Sequence, residues 1–215
     1  MLSHLGDDAT VSNLNPPEGS SEAEHCATFF PIARDSLLEM HNWRFATRRV
    51  SLALTTLPDG AGWQYAYLAP ANFIQVFAVI PPDAQNDYSV PFVGMEQYGF
   101  CLREFISGAE YITQDYAMET DANGNDIILT NCPDAVGRYI IRVTDTTKFS
   151  PLFNDTLGWY GASMLAGPII KGDVGAAEGK RCLQLAMAFL GRAAQSDSRN
   201  QQITPKQNVP WIGNR

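Results

Sequence analysis

The first forty residues place apolar positions at helical spacing behind a good capping residue. Ser20 or Ser21 can cap a helix, and the apolar residues between positions 27 and 40 approximate one of its faces. Pro31 interrupts that face, so we expect the helix to be kinked or divided there. A shorter helical piece is expected to end near Gly6.

Between positions 49 and 57 the spacing changes to the alternation of a β-strand, with larger apolar residues at the even positions. Pro58-Asp59-Gly60 predicts a turn, and Asn123-Gly124 predicts a tight hairpin, because Gly tolerates the positive φ that such turns need. The other predicted strands cover residues 63–68, 73–80, 100–106, 111–118, 126–130 and 138–143.

Helical spacing returns at Ser150-Pro151, where a capping serine precedes a proline at the first helical position. Gly167-Pro168 is expected to stop this helix, and Lys171-Gly172-Asp173 is expected to turn the chain into another helix over residues 176–194. The apolar face predicted for that last helix consists of Cys182, Leu185, Ala186, Phe189 and Ala193.

Helices at both ends of the chain with strands between them predict an α+β protein. We expect the end segments, residues 1–45 and 146–194, to pack together as an antiparallel helical bundle. Residues 46–145 would then form an inserted β-rich extension, or tongue. Residues 195–215 are polar and lack periodicity, so an extended C-terminal tail is expected there.

The composition is that of a globular chain with little surface charge. Of the 215 residues, 45% are apolar and 18% are charged, below the roughly 25% typical of soluble domains. A large core and self-association would each explain that deficit. No apolar run approaches the roughly 18 residues that span a bilayer, and no signal peptide is evident, so we expect a soluble protein made in a cytoplasm.

The cysteines and histidines predict no metal centre. Cys26, Cys101, Cys132 and Cys182 lack C-x-x-C spacing, and the three histidines form no pair at helical ligand spacing. We therefore expect buried free thiols, no metal and no cofactor. The chain also lacks G-x-S-x-G, H-E-x-x-H, a P-loop and G-x-G-x-x-G, so no catalytic residue is predicted.

Charge is distributed unevenly along the chain. Residues 83–134 carry ten acidic residues against Arg103 alone, and residues 1–41 carry seven against one arginine, whereas residues 176–215 carry six basic residues against two acidic ones. An acidic surface cannot bind a phosphate backbone by counterion release. The middle region would let a DNA duplex pass without sticking, although ordinary solvated faces explain the same counts.

Several short motifs occur in a defined order over most of residues 2–194. The most specific is Trp43-Arg44-Phe45-Ala46-Thr47-Arg48-Arg49. The others are Leu2-x-His4-Leu5-Gly6, Ala33-Arg34-Asp35-x-Leu37-Leu38, Trp63-x-Tyr65-x-Tyr67-x-x-Pro70, Arg142-Val143-Thr144-Asp145, Phe149-x-Pro151-x-Phe153, Leu165-Ala166-Gly167-Pro168-Ile169 and Lys171-Gly172-Asp173. In order and spacing this set resembles the head-to-tail adaptor family of short-tailed bacteriophages, also called tail tubular protein A; residues 81–125 match no part of it.

The resemblance implies a non-enzymatic connector subunit in the tail of a virion, assembled in the host cytoplasm. It implies a homo-oligomer, a dodecameric ring below the portal protein, which docks on the portal through the C-terminal tail and contacts a distal tail or nozzle protein. Genomic DNA would pass through the ring without specific binding, and no membrane partner is expected.

The residues expected to serve these contacts fall into two sets. In the tail, Arg199, Lys206, Trp211 and Arg215 would contact the portal, unless the tail is only a disordered, solubilising segment. The expected core or subunit-interface residues are Trp43, Phe45, Arg48, Arg49, Trp63, Tyr65 and Tyr67. Arg44, Arg48 and Arg49 would either pair with acidic neighbours across an interface or form a surface charge cluster.

The sequence is also compatible with two other classes of protein. A virion-associated cell-wall (peptidoglycan) hydrolase would need two carboxylates of the middle region to converge in a cleft. A monomeric carbohydrate- or protein-binding module would need an exposed aromatic platform and no self-association.

Overall fold

The computed structural model describes residues 1–82 and 114–199, and these residues form an α+β protein, as predicted. They contain three α-helices and two antiparallel β-sheets. The chain divides into two compact units. The helical unit comprises Met1–Thr47 and the described chain from Ile140 onward, and the β unit comprises the described residues between Arg48 and Tyr139.

The helical unit contains α1 (Ser21–Glu39), α2 (Pro151–Ile170) and α3 (Gly172–Arg199), preceded by a 3₁₀ turn at Leu2–Leu5. The starts of α1 and α2 confirm the predicted caps. The Ser20 hydroxyl accepts a hydrogen bond from the Ala23 N–H, and the Ser150 hydroxyl accepts one from the Phe153 N–H. Each bond satisfies a backbone donor that the first helical turn would otherwise leave unpaired.

The predicted helix ends are less accurate. Pro31 lies inside α1 without dividing it, and α2 continues through Pro168 to Ile170. A proline removes one backbone hydrogen bond, and the buried neighbours on both helices outweigh that loss. The last helix starts at Gly172 and ends at Arg199, so residues 195–199 of the predicted tail are helical. The rest of that tail, and the strand predicted at 100–106, lie outside the described residues.

In the helical unit α2 packs against both α1 and α3. The contact with α3 is close because small residues line it: a Cβ atom built on Gly175 would lie 2.8 Å from the carbonyl oxygen of Ala166. Three residues of the apolar face predicted for α3 are fully buried, Cys182, Ala186 and Ala193, whereas Leu185 and Phe189 are partly buried. A second cluster joins Leu2, Cys26 and Leu165.

The seven described strands lie in the β unit, apart from the first residue of β1 and the last two of β7; they form a sheet of order β1-β7-β4 and a sheet of order β2-β3-β6-β5. Their bounds are β1 Thr47–Ser51, β2 Ala53–Thr55, β3 Tyr65–Leu68, β4 Phe73–Ile80, β5 Tyr116–Thr120, β6 Asp126–Thr130 and β7 Val136–Ile141. The predicted bounds of β4 and β6 are confirmed. The hairpin predicted at Asn123-Gly124 joins β5 to β6, and Gly124 has a φ of 83°.

The single strand predicted at 49–57 is two strands that belong to different sheets. The Leu52 N–H donates to the Ala135 carbonyl oxygen (2.9 Å), at the position just before β7, and Ala53 then pairs with Leu68 of β3. The chain therefore passes from one sheet to the other at Leu52. Alternation alone could not reveal this, because both strands keep the same period.

Candidate assembly surfaces

Trp43 belongs to the core of the helical unit. Its side chain is fully buried, its indole N–H donates to the Leu37 carbonyl oxygen (2.7 Å), and its ring meets the Phe153 ring edge-on at 5.0 Å. Phe45 is half-buried and packs on Phe149 and Phe153 at ring distances of 5.6 and 5.1 Å. Of the two roles expected for these aromatic residues, the core role holds for Trp43.

The predicted arginines at the start of the β region are solvent-exposed. Arg48 and Arg49 lie on β1, and Arg44 lies just before it. The backbone N–H of Arg44 donates to Oδ2 of Asp197 on α3 (3.2 Å), and His41 approaches the same carboxylate oxygen at 3.5 Å. Asp197 thus ties the end of α3 to the segment that follows α1.

Two motifs that are far apart in the sequence meet at Asp35 of α1. Nε of Arg34 donates to one carboxylate oxygen of Asp35, and Nε of Arg142 donates to the other, both at 2.8 Å. Arg34 is buried, so its charge needs this partner. The sequence motifs name all three residues but give no sign of their contact, which fixes where the chain re-enters the helical unit.

The aromatic residues of the W-x-Y-x-Y motif lie in the β unit. Tyr67 is buried; its hydroxyl donates to the Cys132 carbonyl oxygen (2.9 Å) and accepts from the Ala135 N–H (3.4 Å), while burial raises its pKa. Trp63 is half-buried and packs on a cluster formed by Ala66, Ile127 and Leu129. Tyr65 is half-buried on β3. These residues do not form an exposed aromatic platform.

The β5–β6 hairpin carries three of the five acidic residues that the structure describes in the middle region; the other two, Asp115 and Asp134, are exposed and lie outside it. Glu119 and Asp126 are exposed near its tip. The carboxylate of Asp121 accepts hydrogen bonds from the Asn123 and Asn125 backbone N–H groups, both at 2.8 Å, and from the Asn125 side chain at 3.0 Å. Those bonds, led by the Asn125 side chain, hold the pKa of Asp121 below its ordinary value, so the tip stays charged.

The carboxylates of this hairpin do not converge as a glycosidase pair would. Thr120 faces Asp126 across the ladder, so Glu119 and Asp126 lie on opposite faces of the hairpin. The Asp121 carboxylate is occupied by its hydrogen bonds to Asn123 and Asn125 within the turn. Five more acidic residues on which the hydrolase alternative depends, at positions 83, 87, 96, 104 and 110, lie outside the described residues.

Of the four residues predicted to bind the portal, the structure describes only Arg199, the last residue of α3. Lys206, Trp211 and Arg215 lie outside the described residues. Cys26, Cys132 and Cys182 are buried free thiols, as expected, whereas Cys101 is not described.

Sequence reasoning missed two outward helix faces in the helical unit. On α1, Glu24, Ile32 and Glu39 are exposed and share one side of the helix. On α3, Lys180, Leu183 and Met187 are exposed and also share a side. The signal in the sequence is the helical spacing of these aliphatic and charged residues, which repeats on a side of each helix other than its buried face.

No protein-family model matches the chain, and no curated protein matches it. The described residues contain no helix that is long and apolar enough to cross a membrane, and no group of three His, Cys, Asp or Glu side chains placed to hold a metal ion.

Proposed function

We propose that the chain is a non-enzymatic subunit of a phage head-to-tail connector, which forms a ring between the portal and the tail around the DNA exit channel. The observation that carries the proposal is the ordered set of motifs between Leu2 and Asp173. These motifs resemble the adaptor family in sequence and in spacing, and no single one of them would suffice.

The division of the chain is consistent with such a connector. The two ends of the described chain share one helical unit, and the described residues between them make a separate β unit. In this proposal the helical units are the bundles that pack side by side, and the β unit is the tongue that extends toward the tail.

The electrostatics of the β unit also support a role beside DNA. Glu119, Asp121 and Asp126 place negative charge on the β5–β6 hairpin. A channel wall of that sign repels phosphates, whereas basic side chains would retain them. DNA could then leave the capsid without being held.

Mass photometry of the purified chain, alone and mixed with the portal ring encoded by the same genome, tests the proposal. We expect up to twelve copies to join each portal. A chain that stays monomeric and ignores the portal would contradict the connector role, and peptidoglycan hydrolysis by that monomer would point to the hydrolase instead.

The proposed tail can be tested separately by ending the chain after Arg199. We expect circular dichroism and the melting temperature to match those of the full chain, because residues 200–215 are polar and lack the periodicity of a packed element. Portal binding should weaken, since Lys206, Trp211 and Arg215 are removed. Unchanged portal affinity would contradict the proposed role of the C-terminal tail in portal binding, but it would not contradict the proposal that the chain forms a ring.

A further inference from the structure

The segment Met1–Leu5, which we call the strap, lies against α2 in a space that two glycines leave open. A Cβ atom built on Gly161 would overlap the Met1 side chain, and one built on Gly158 would lie 2.9 Å from Nε2 of His4. Because neither glycine carries a side chain, the strap approaches the backbone of α2 closely.

The strap covers an apolar cluster that contains a thiol. Leu2 is only 8% exposed and joins Cys26 of α1 and Leu165 of α2, both of which are buried. Burial raises the pKa of the Cys26 thiol, and the carboxylates of Asp7 and Glu22 add smaller raising effects. While the strap is docked, the thiol is therefore both shielded and protonated.

The strap is attached by packing and not by bonds to its neighbours. Its backbone hydrogen bonds stay within residues 1–7, and among the described residues no hydrogen bond or ion pair joins the strap to α1 or α2. Residues 7–19, which connect the strap to α1, are mostly exposed and contain neither helix nor strand. A segment held in this way can open at a lower free energy than the whole unit needs to unfold.

His4 is the part of the strap that responds to protonation. Its ring lies nearly parallel to the Trp159 indole of α2, with centroids 3.9 Å apart and an angle of 13° between the planes. Burial and then the Met1 ammonium group lower the pKa of His4, against a smaller raising effect of Asp155 on α2. From α3, the Arg181 guanidinium lies 5.8 Å from the same indole, and it is paired with a carboxylate of its own helix.

From this arrangement we infer that the strap is a pH-sensitive cover, docked while the His4 ring is neutral and released when the ring is protonated, so that Cys26 is uncovered while the helices stay folded. Released His4 regains its ordinary pKa of about 6.5. Docking is therefore strongest above that pH and weakens as the pH falls through the lower docked value. This device belongs to the helical unit of a single chain and does not depend on the ring assembly proposed above.

The rate at which Cys26 is labelled tests the inference on the full chain. Dithiodipyridine, which reacts with thiols in mild acid, is applied at pH 7.5 and at pH 5.5, and mass spectrometry of the peptides identifies each labelled cysteine. His4→Phe keeps an aromatic ring at position 4 but cannot be protonated, so dividing the wild-type rate by the His4→Phe rate removes the pH dependence of the thiol reaction itself. We expect this ratio to rise by about two- to tenfold at the lower pH. His25→Gln, next to Cys26, is the matched control and should keep the wild-type rise.

Three results would overturn the inference. The first is an unchanged ratio, because His4 would then not control the strap. The second is labelling of Cys132 and Cys182 as fast as Cys26 at pH 5.5, because the opening would then be global. The third is a smaller rise in Asp155→Asn than in the wild type, since removing that carboxylate should make protonation of docked His4 harder and the rise larger. Circular dichroism at both pH values checks that each variant is folded.

Discussion

At the scale of single residues, polar side chains that bond two partners at once hold distant segments together. The Tyr67 hydroxyl serves two backbone groups at once, those of Cys132 and Ala135. Asp35 likewise serves Arg34 and Arg142. In each case one side chain joins segments that are distant in sequence, and its loss leaves a buried partner, the Cys132 carbonyl or the Arg34 guanidinium, without that bond.

Replacing Tyr67 with Phe should destabilise the protein by about 1–3 kcal/mol, because the Cys132 carbonyl and the Ala135 N–H lose their buried partner. Urea unfolding measures the change. Tyr65→Phe is the matched control: that ring is only half-buried and its hydroxyl makes no hydrogen bond within the described residues, so a change under about 0.5 kcal/mol is expected. Equal effects of the two substitutions would contradict the role given to Tyr67.

His4 should make stability depend on pH. Its ring stacks on Trp159 at 3.9 Å, and its pKa is lowered by burial and then by the Met1 ammonium group, against a smaller raising effect of Asp155. A His that is harder to protonate when folded adds stability above its unfolded pKa, about 6.5, and that stability is lost as the pH falls through the folded value. Melting temperatures between pH 7.5 and 5 should fall less for His4→Phe than for the wild type, and parallel curves would contradict this.

At the scale of elements, the close contact of α2 and α3 depends on glycine. Gly175→Ala should destabilise the chain by about 1–3 kcal/mol, because the new methyl group meets the backbone carbonyl of Ala166, which cannot move as a side chain can. Gly191 on the same helix has open space around it, so Gly191→Ala should stabilise by up to about 1 kcal/mol through helix propensity. Thermal unfolding of both variants checks the opposite signs.

The negative charge of the β5–β6 hairpin leads to a prediction about the protein's affinity for duplex DNA. The wild type should not bind duplex DNA at low salt, whereas Glu119→Lys with Asp126→Lys should gain weak binding that disappears as salt is added. Glu24→Lys with Glu39→Lys makes the same change in net charge on α1 and controls for it. Tight binding of DNA by the wild type in fluorescence anisotropy would contradict the proposed repelling wall.

The features that the sequence predicted correctly are those that depend on a few neighbouring residues. The starts of α1 and α2 depend on single capping serines, and the β5–β6 turn depends on Gly124, so each was readable from a few residues. The end of α2 depends on tertiary packing around Pro168, and the break at Leu52 depends on pairing with distant strands. The outward faces of α1 and α3 were missed because exposure is a property of the folded unit.

At the scale of the whole molecule, the central claim is self-assembly into a connector ring. The chain's deficit of charge allowed either a large core or self-association. Trp43 and Tyr67 account for part of the apolar content as core, while Ile32, Leu183 and Met187 remain exposed on the helices.

Electron-microscopy class averages of the chain bound to its portal ring test that claim most directly. We predict a closed ring of twelve copies, coaxial with the portal and with an open channel. Isolated copies scattered on the portal, or portals that stay bare at a saturating concentration of the chain, would contradict it.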